Sequence, residues 1–184
     1  DGLAAISGAG RTTLTGLERA EAVSLVYATW NLFSTLGVAP ALGRPFLESE
    51  EDIAKANLVV IGHDLWQRRF GGVRDLSSIP FELDGERFEV VGVMPEGFSF
   101  PTEDTELWTQ LPLDRARTWR GGHWFHMIAR RAPGATFEQA DVEMKTMMEN
   151  WAKVYPDHHT GHGLFMMPLL DDYVANVRPA ILLL

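Results

Sequence analysis

The sequence predicts an α+β fold in two lobes, and three observations carry that prediction. Apolar and polar residues alternate over 21–29, 81–90 and 124–131, the period of a half-buried strand. Apolar residues recur at helical spacing over 31–36, 64–70 and 137–155. Glycine and proline punctuate the changes of period, and Asp84-Gly85 stands where two short strands need a tight turn. Strand–helix units flank a self-contained strand–helix–hairpin block. Residues 47–119 are therefore expected as a smaller α+β lobe, inserted into a strand–helix–strand lobe made of 1–46 and 120–178.

The chain opens strand-like at Leu3-Ala4-Ala5-Ile6, and Gly8 to Thr13 is expected as a turn between two N-terminal strands. Over 21–29, Val23, Leu25 and Tyr27 fall on one side and Ala22, Ser24 and Val26 on the other, a strand with one well-buried face. Asn31 can cap a short helix striped by Leu32, Phe33 and Leu36, and Gly37 sits where a left-handed C-cap is wanted. Pro40, Gly43 and Pro45 make 38–46 irregular but tightly specified. Glu48, Glu50, Glu51 and Asp52 lack the ordered spacing of a cation site and are expected as a solvated helix start.

Leu58 to Ile61 reads as a short buried strand. Asp64 is expected to cap a helix with Leu65, Trp66 and Phe70 inward and Arg68 and Arg69 in water, closed by Gly71-Gly72. Phe81 and Leu83 lead into Asp84-Gly85, and Phe88 and Val90 return from it, because Asp-Gly accepts the positive φ angles of a type I′ turn. A strand is expected around Leu107-Trp108 and another over 124–131. Thr136 and Gln139 have the spacing of a capping box. The helix they start carries Phe137, Ala140, Met144, Met147, Met148, Trp151 and Tyr155 on one wide face, expected as core against the sheet, and Pro156 ends it. Residues 164–170 are expected to return as a strand.

Composition narrows the function. The 184 residues hold 16 basic and 25 acidic side chains, a net charge of −9, which argues against a nucleic-acid partner. There is no cysteine, so a disulfide, a thiolate metal site and a cysteine nucleophile are excluded. No apolar run approaches the roughly 20 residues of a membrane span. The start, Asp1-Gly2-Leu3, shows neither the basic nor the apolar region of a signal peptide. The apolar close at 179–184 has two readings, a docked C-terminal strand or, as expected here, the first turn of a transmembrane helix that continues beyond it.

The candidate reactive residues are few. Gly8 to Thr13 lacks the lysine and the spacing of a phosphate-binding loop. His158, His159 and His162, with Asp157 beside them, are the best metal candidate, but Gly161 and Gly163 place them in a loop without fixed ligand geometry. They are expected to form no functional site. His123 and His126 are three apart on a predicted strand and point to opposite faces. No serine occupies a nucleophile elbow. The sequence thus assigns no catalytic, cofactor-binding or metal-binding residue.

Four segments together carry a resemblance. Leu36-Gly37-Val38-Ala39-Pro40-Ala41-Leu42-Gly43-Arg44-Pro45-Phe46 resembles the segment that closes the first half of the MacB-like periplasmic core domain. Leu65 to Gly72 looks like its second signature, and Asp84-Gly85-Glu86 with Val90 to Phe98 looks like its third. Arg130 to Ala140 is similar to the start of its last helix. The segments occur in the family's order and cover most of 20–178. Ser78-Ile79-Pro80 departs from the family's usual glycine followed by arginine or lysine before the hairpin. The resemblance further implies that one strand–helix unit is missing before Asp1, and that Val177-Arg178-Pro179-Ala180 leads into a membrane helix.

The resemblance implies a non-catalytic extracytoplasmic domain of an ABC transporter permease, standing on the permease's own membrane helices at the bacterial inner membrane. It implies no cofactor. Its implied partners are an ABC-type ATPase that hydrolyses ATP elsewhere, a second permease copy and an envelope protein. Two other readings stand beside it: a free-standing extracytoplasmic ligand-binding domain, and a metal-dependent enzyme centred on the histidine loop.

Overall fold

The computed structural model describes residues 2–51, 57–111, 125–159, 161 and 163–175. The chain divides into two compact units, Asp1–Arg130 and Arg131–Leu184. Among the described residues the first holds nine strands: β1 Gly2–Ser7, β2 Gly10–Thr15, β3 Glu21–Ala28, β4 Leu42–Gly43, β5 Leu58–Ile61, β6 Phe81–Leu83, β7 Glu86–Val93, β8 Leu107–Gln110 and β9 Phe125–Arg130. Two helices, α1 Leu32–Leu36 and α2 His63–Phe70, join them.

The strands make one sheet, and part of it closes on itself. β2 pairs antiparallel with β3 and with β6. From β6 the pairing runs antiparallel to β7, parallel to β5, antiparallel to β8 and parallel back to β3. Six strands therefore form a ring. β1 extends it from β3 and carries β9 on its other edge, and β4 adds to β7.

Alternation along the strands sorts the core onto the two faces of this sheet. Val23 and Leu25, Val59 and Ile61, Phe81 and Leu83, Val90, Leu107 and Leu14 make one cluster, with Leu65 of α2. The intervening Val26, Ala28, Val60, Val91 and Trp108 belong to another, covered by Leu32 and Phe33 of α1 and by Phe46, Met94 and Phe100. Each large aliphatic or aromatic side chain removed from water in this way contributes about 1.5–3 kcal/mol.

The separate lobe expected over 47–119 is corrected by this topology. β5, β6, β7 and β8 share one sheet and both core clusters with β2 and β3, which come from before residue 47. Cutting at residue 47 would strip β6 and β8 of one partner each and leave unpaired edges. The one buried face expected for β3 is corrected too: Val23, Ser24, Leu25 and Val26 are all buried and Tyr27 is exposed, because the strand is central. The turn expected at Gly8 to Thr13 is not a hairpin. Ile6 pairs with Ala28 and Gly10 with Leu25, so β1 and β2 run along β3 as one interrupted strand.

Several local expectations hold. Asp84 and Gly85 both have positive φ, 49° and 87°, as the two-residue turn between β6 and β7 requires. Gly37 and Gly71 end α1 and α2 in the left-handed conformation. Two caps differ. Asn31 makes no side-chain cap, and its amide instead donates to the Leu3 carbonyl at 2.9 Å. Gly62, not Asp64, is the N-cap of α2, which leaves Asp64 in the first turn.

The second unit holds α3 Phe137–Val154, α4 Pro156–His159 and α5 Leu169–Ala175. The capping box is formed: the Gln139 N–H donates to Thr136 Oγ1 at 3.2 Å, and the Thr136 N–H donates to Gln139 Oε1 at 2.9 Å. The Phe137, Ala140, Met144, Met147 and Met148 stripe is the less exposed face of α3, but no residue of the helix is fully buried, contrary to the expected core role. The strand expected at 164–170 is also corrected, because α5 begins at Leu169. Pro168 has no N–H for a sheet ladder, and its carbonyl accepts from the Asp171 and Asp172 N–H groups at 2.9 and 3.2 Å. Those two aspartates also suit the positive end of the helix dipole.

Candidate functional site

The N-terminus of α2 and the segment 97–106 form an open cleft of about 430 Å³ in the first unit, with Ala22 and Ser24 of β3 and Arg11 of β2 beneath them. His63, Asp64, Arg68, Glu103 and Glu106 bring both signs of charge into it. Glu106 is its organising residue. Its main chain donates to the Ser24 carbonyl at 3.1 Å and accepts from the Gly62 N–H at 2.7 Å. Its carboxylate accepts from the Ser24 N–H at 3.2 Å and from Arg68 at 2.6 Å.

Arg68 also bonds Glu21 at 2.8 Å, and Arg69 reaches the other oxygen of Glu21 at 3.1 Å. Two guanidiniums and two carboxylates thus tie α2 to the start of β3 and to the segment entering β8. The expectation that Arg68 and Arg69 only reach into water is corrected. Leu65, rather than Trp66 or Phe70, is the fully buried side chain of α2, and the two aromatics are half-buried against the same cluster. Partial burial acts against the Arg68 charge, but its bonds to Glu106 and Glu21 outweigh that and hold its pKa above the ordinary value.

Chemically the cleft is a clamp. Its strongest acid–base contacts are spent between its own side chains, and an ion pair holds its charges where a nucleophile would need a free base. His63 lies 3.4 Å from the well-exposed Asp64 and edge-on to Trp66, with ring centroids 5.6 Å apart.

His126 is exposed on β9, in register with Ile6. His123 and His162 lie outside the described residues. His158 and His159 end α4, a helical turn where a loop was expected. Among the described residues no group of three or more metal-ligating side chains is found. Within Gly8 to Thr13, Thr12 Oγ1 donates to the Asp84 carboxylate at 2.7 Å and the Thr13 N–H donates to it at 3.1 Å. Of the acidic residues at 48–52, Glu50 is paired with Arg44 through both carboxylate oxygens at 2.6 and 3.0 Å, and Asp52 lies outside the described residues.

The segments singled out at 36–46 and 90–98 meet on the sheet. Ala41 and Arg44 donate to the Val93 and Val91 carbonyls at 2.8 and 2.9 Å around β4. The approach is so close that a Cβ on Gly43 would lie 2.3 Å from the Val91 carbonyl, and one on Gly92 would lie 2.5 Å from that of Arg44. Beside them Phe33 contacts Phe46, Phe98 and Trp108 at centroid distances of 6.0, 6.3 and 5.8 Å, and the Trp108 N–H donates to the Phe100 carbonyl at 2.8 Å. The sequence displayed the signature segments but not this packing. The Glu21–Arg68–Glu106 network carried no signal beyond the arginine pair, since its acids lie 47 and 38 residues away.

Comparison with known proteins follows the same lines. Residues 2–147 match the MacB-like periplasmic core domain. The fold is similar to the periplasmic region of MacB from Actinobacillus actinomycetemcomitans, with a TM-score of 0.65 at 14% identity over 97% of this chain and 76% of that one. It is similar to a domain described as that of a permease protein from Porphyromonas gingivalis, with a TM-score of 0.57 at 14% identity over 94% and 78%. The extracellular domain of the ABC-type transporter YknZ from Gram-positive bacteria aligns at 18% identity and a TM-score of 0.47, and the chain spans only 53% of its length. No curated protein matches the sequence. Among the described residues no helix is long and apolar enough to cross a membrane.

Proposed function

The chain belongs to the MacB-like periplasmic core domain family, and on that premise we propose that it is a non-catalytic extracytoplasmic body that couples ATP-driven motion of a permease to export or envelope signalling. ATP hydrolysis belongs to a separate ABC-type ATPase. A second permease copy and an envelope protein complete the assembly.

The observation that carries this reading is the placement of the signature segments. Residues 36–46 and 84–98 build and brace the ring, and residues 65–72 pack Leu65 into its core and clamp it through Arg68. They supply stiffness, which force transmission needs, rather than reactive groups. The test is a transport assay on the full-length parent with its ATPase, with folded protein measured in parallel. His63→Ala, Glu103→Gln, His126→Ala and replacement of the 158–162 histidines are expected to leave transport intact. Trp108→Ala is expected to lower it in step with folded protein. One exposed polar residue whose loss abolishes transport in a normally folded parent would contradict the reading.

A further inference from the structure

The six junctions of the ring are unequal. β2 and β3 are in register over five Cα pairs, β3 and β8 over four, and β5 and β7 over four. The β2–β6 junction has two, Leu14 with Leu83 and Thr15 with Glu82. Yet Leu14, Phe81 and Leu83 behind it are buried in the ring's core. What lengthens this short seam is the turn beyond it. Asp84 accepts from the Thr12 hydroxyl and the Thr13 N–H, its own N–H donates to the Thr13 carbonyl at 2.8 Å, and the Gly85 N–H donates to Thr15 Oγ1 at 3.1 Å.

We propose that the Asp84-Gly85 turn is a latch on the ring: while Asp84 holds Thr12 and Thr13 the ring is closed, and when those bonds are lost the β2–β6 seam opens first, uncovering Leu14, Phe81 and Leu83. The geometry favours this place over any other because a ring opens at its shortest junction, and here the shortest junction leans on one exposed carboxylate. Two registered pairs cannot exclude water from three buried side chains once the turn swings away.

The Asp84 carboxyl is held below the usual carboxylate value of 3.8 by its hydrogen bonds, first that of the Thr12 hydroxyl and then that of the Thr13 N–H. A depressed folded-state pKa means that the latch contributes above the unfolded value and is lost as pH falls through the folded one. The other charged groups on the adjoining strands are Arg11 on β2, Glu82 on β6, and Glu86, Arg87 and Glu89 on β7. The inference is independent of the transport reading.

The test is amide hydrogen exchange on the whole chain, read by residue and corrected for intrinsic rates. At neutral pH the amides of 13–15 and 83–85 should exchange faster than those of 107–110. Asp84→Asn, which still tolerates the positive φ of the turn, should speed the seam amides by at least about tenfold and the 107–110 amides by less than about twofold. Thr12→Val removes one bond only and should act in the same direction by less, with Thr12→Ser restoring the rate. This milder pair decides the matter if Asp84→Asn does not fold. The chain has no cysteine, so Thr15→Cys with Glu82→Cys can be oxidised to staple the seam. The staple should slow seam exchange in the Asp84→Asn background and release it on reduction. Equal acceleration of seam and 107–110 amides, or none at the seam, would overturn the proposal.

Discussion

Residues 1–130 and 131–184 solve the same problem in opposite ways. In the first unit, alternating strands close into a ring and bury apolar side chains on both faces, down to Trp108 at 0% exposure. In the second, α3 has a correct capping box and a clear stripe, yet none of its residues is fully buried, and Phe165 and Leu170 stand 83% and 73% exposed. A capped, amphipathic helix is thus specified locally, whereas burial requires partners that the ring acquires by closing.

The contrast can be broken most sharply at its two tryptophans. Trp108→Ala should cost about 3–5 kcal/mol, as truncation of a packed core aromatic does. Trp151→Ala, at 42% exposure, should cost about 1 kcal/mol or less. Urea unfolding of both variants checks this, and equal losses would abolish the distinction. Two glycines give the next test. Gly92→Ala drives a Cβ against the Arg44 carbonyl and should destabilise by about 2–3 kcal/mol. Gly134→Ala meets open space and carries only the strain of its positive φ, about 1 kcal/mol.

Smaller effects sharpen the picture. Thr136→Ala removes the cap of α3 and should cost about 1 kcal/mol, read as lost helicity by circular dichroism. Arg68→Ala breaks pairs whose arginine is 45% exposed, so about 1 kcal/mol or less is expected, diminishing further as salt rises. A loss several times larger on urea unfolding would mean that the clamp, and not the core, sets the stability of the ring.

These differences also mark what the sequence could say. The hairpin at Asp84-Gly85, the caps at Gly37 and Gly71 and the box at Thr136 were legible because each depends on residues within four positions of one another. Alternation located most of the strands, but not their neighbours. Nothing local in Thr12 or Leu14 announces Asp84 and Leu83 as partners some 70 residues on, so a closed ring read as two lobes. The site was obscured for the same reason: Arg68-Arg69 was visible, while Glu21 and Glu106 become its partners only when β3 and β8 pair in parallel. The strand misread at 164–170 is different in kind. Its apolar residues fit either period, and Pro168 with Asp171 and Asp172 decided for a helix.

The central claim is that residues 47–119 are staves of a shared ring and not a lobe of their own. It is tested most directly by producing residues 47–119 alone and following urea unfolding by near-ultraviolet circular dichroism of the tryptophan region. Without β2 and β3, the fragment lacks one neighbour of β6 and one of β8 and leaves the ring open, and no cooperative transition is predicted. A cooperative transition with a native-like Trp108 signal would show that the block folds by itself and would contradict the ring as the folding unit.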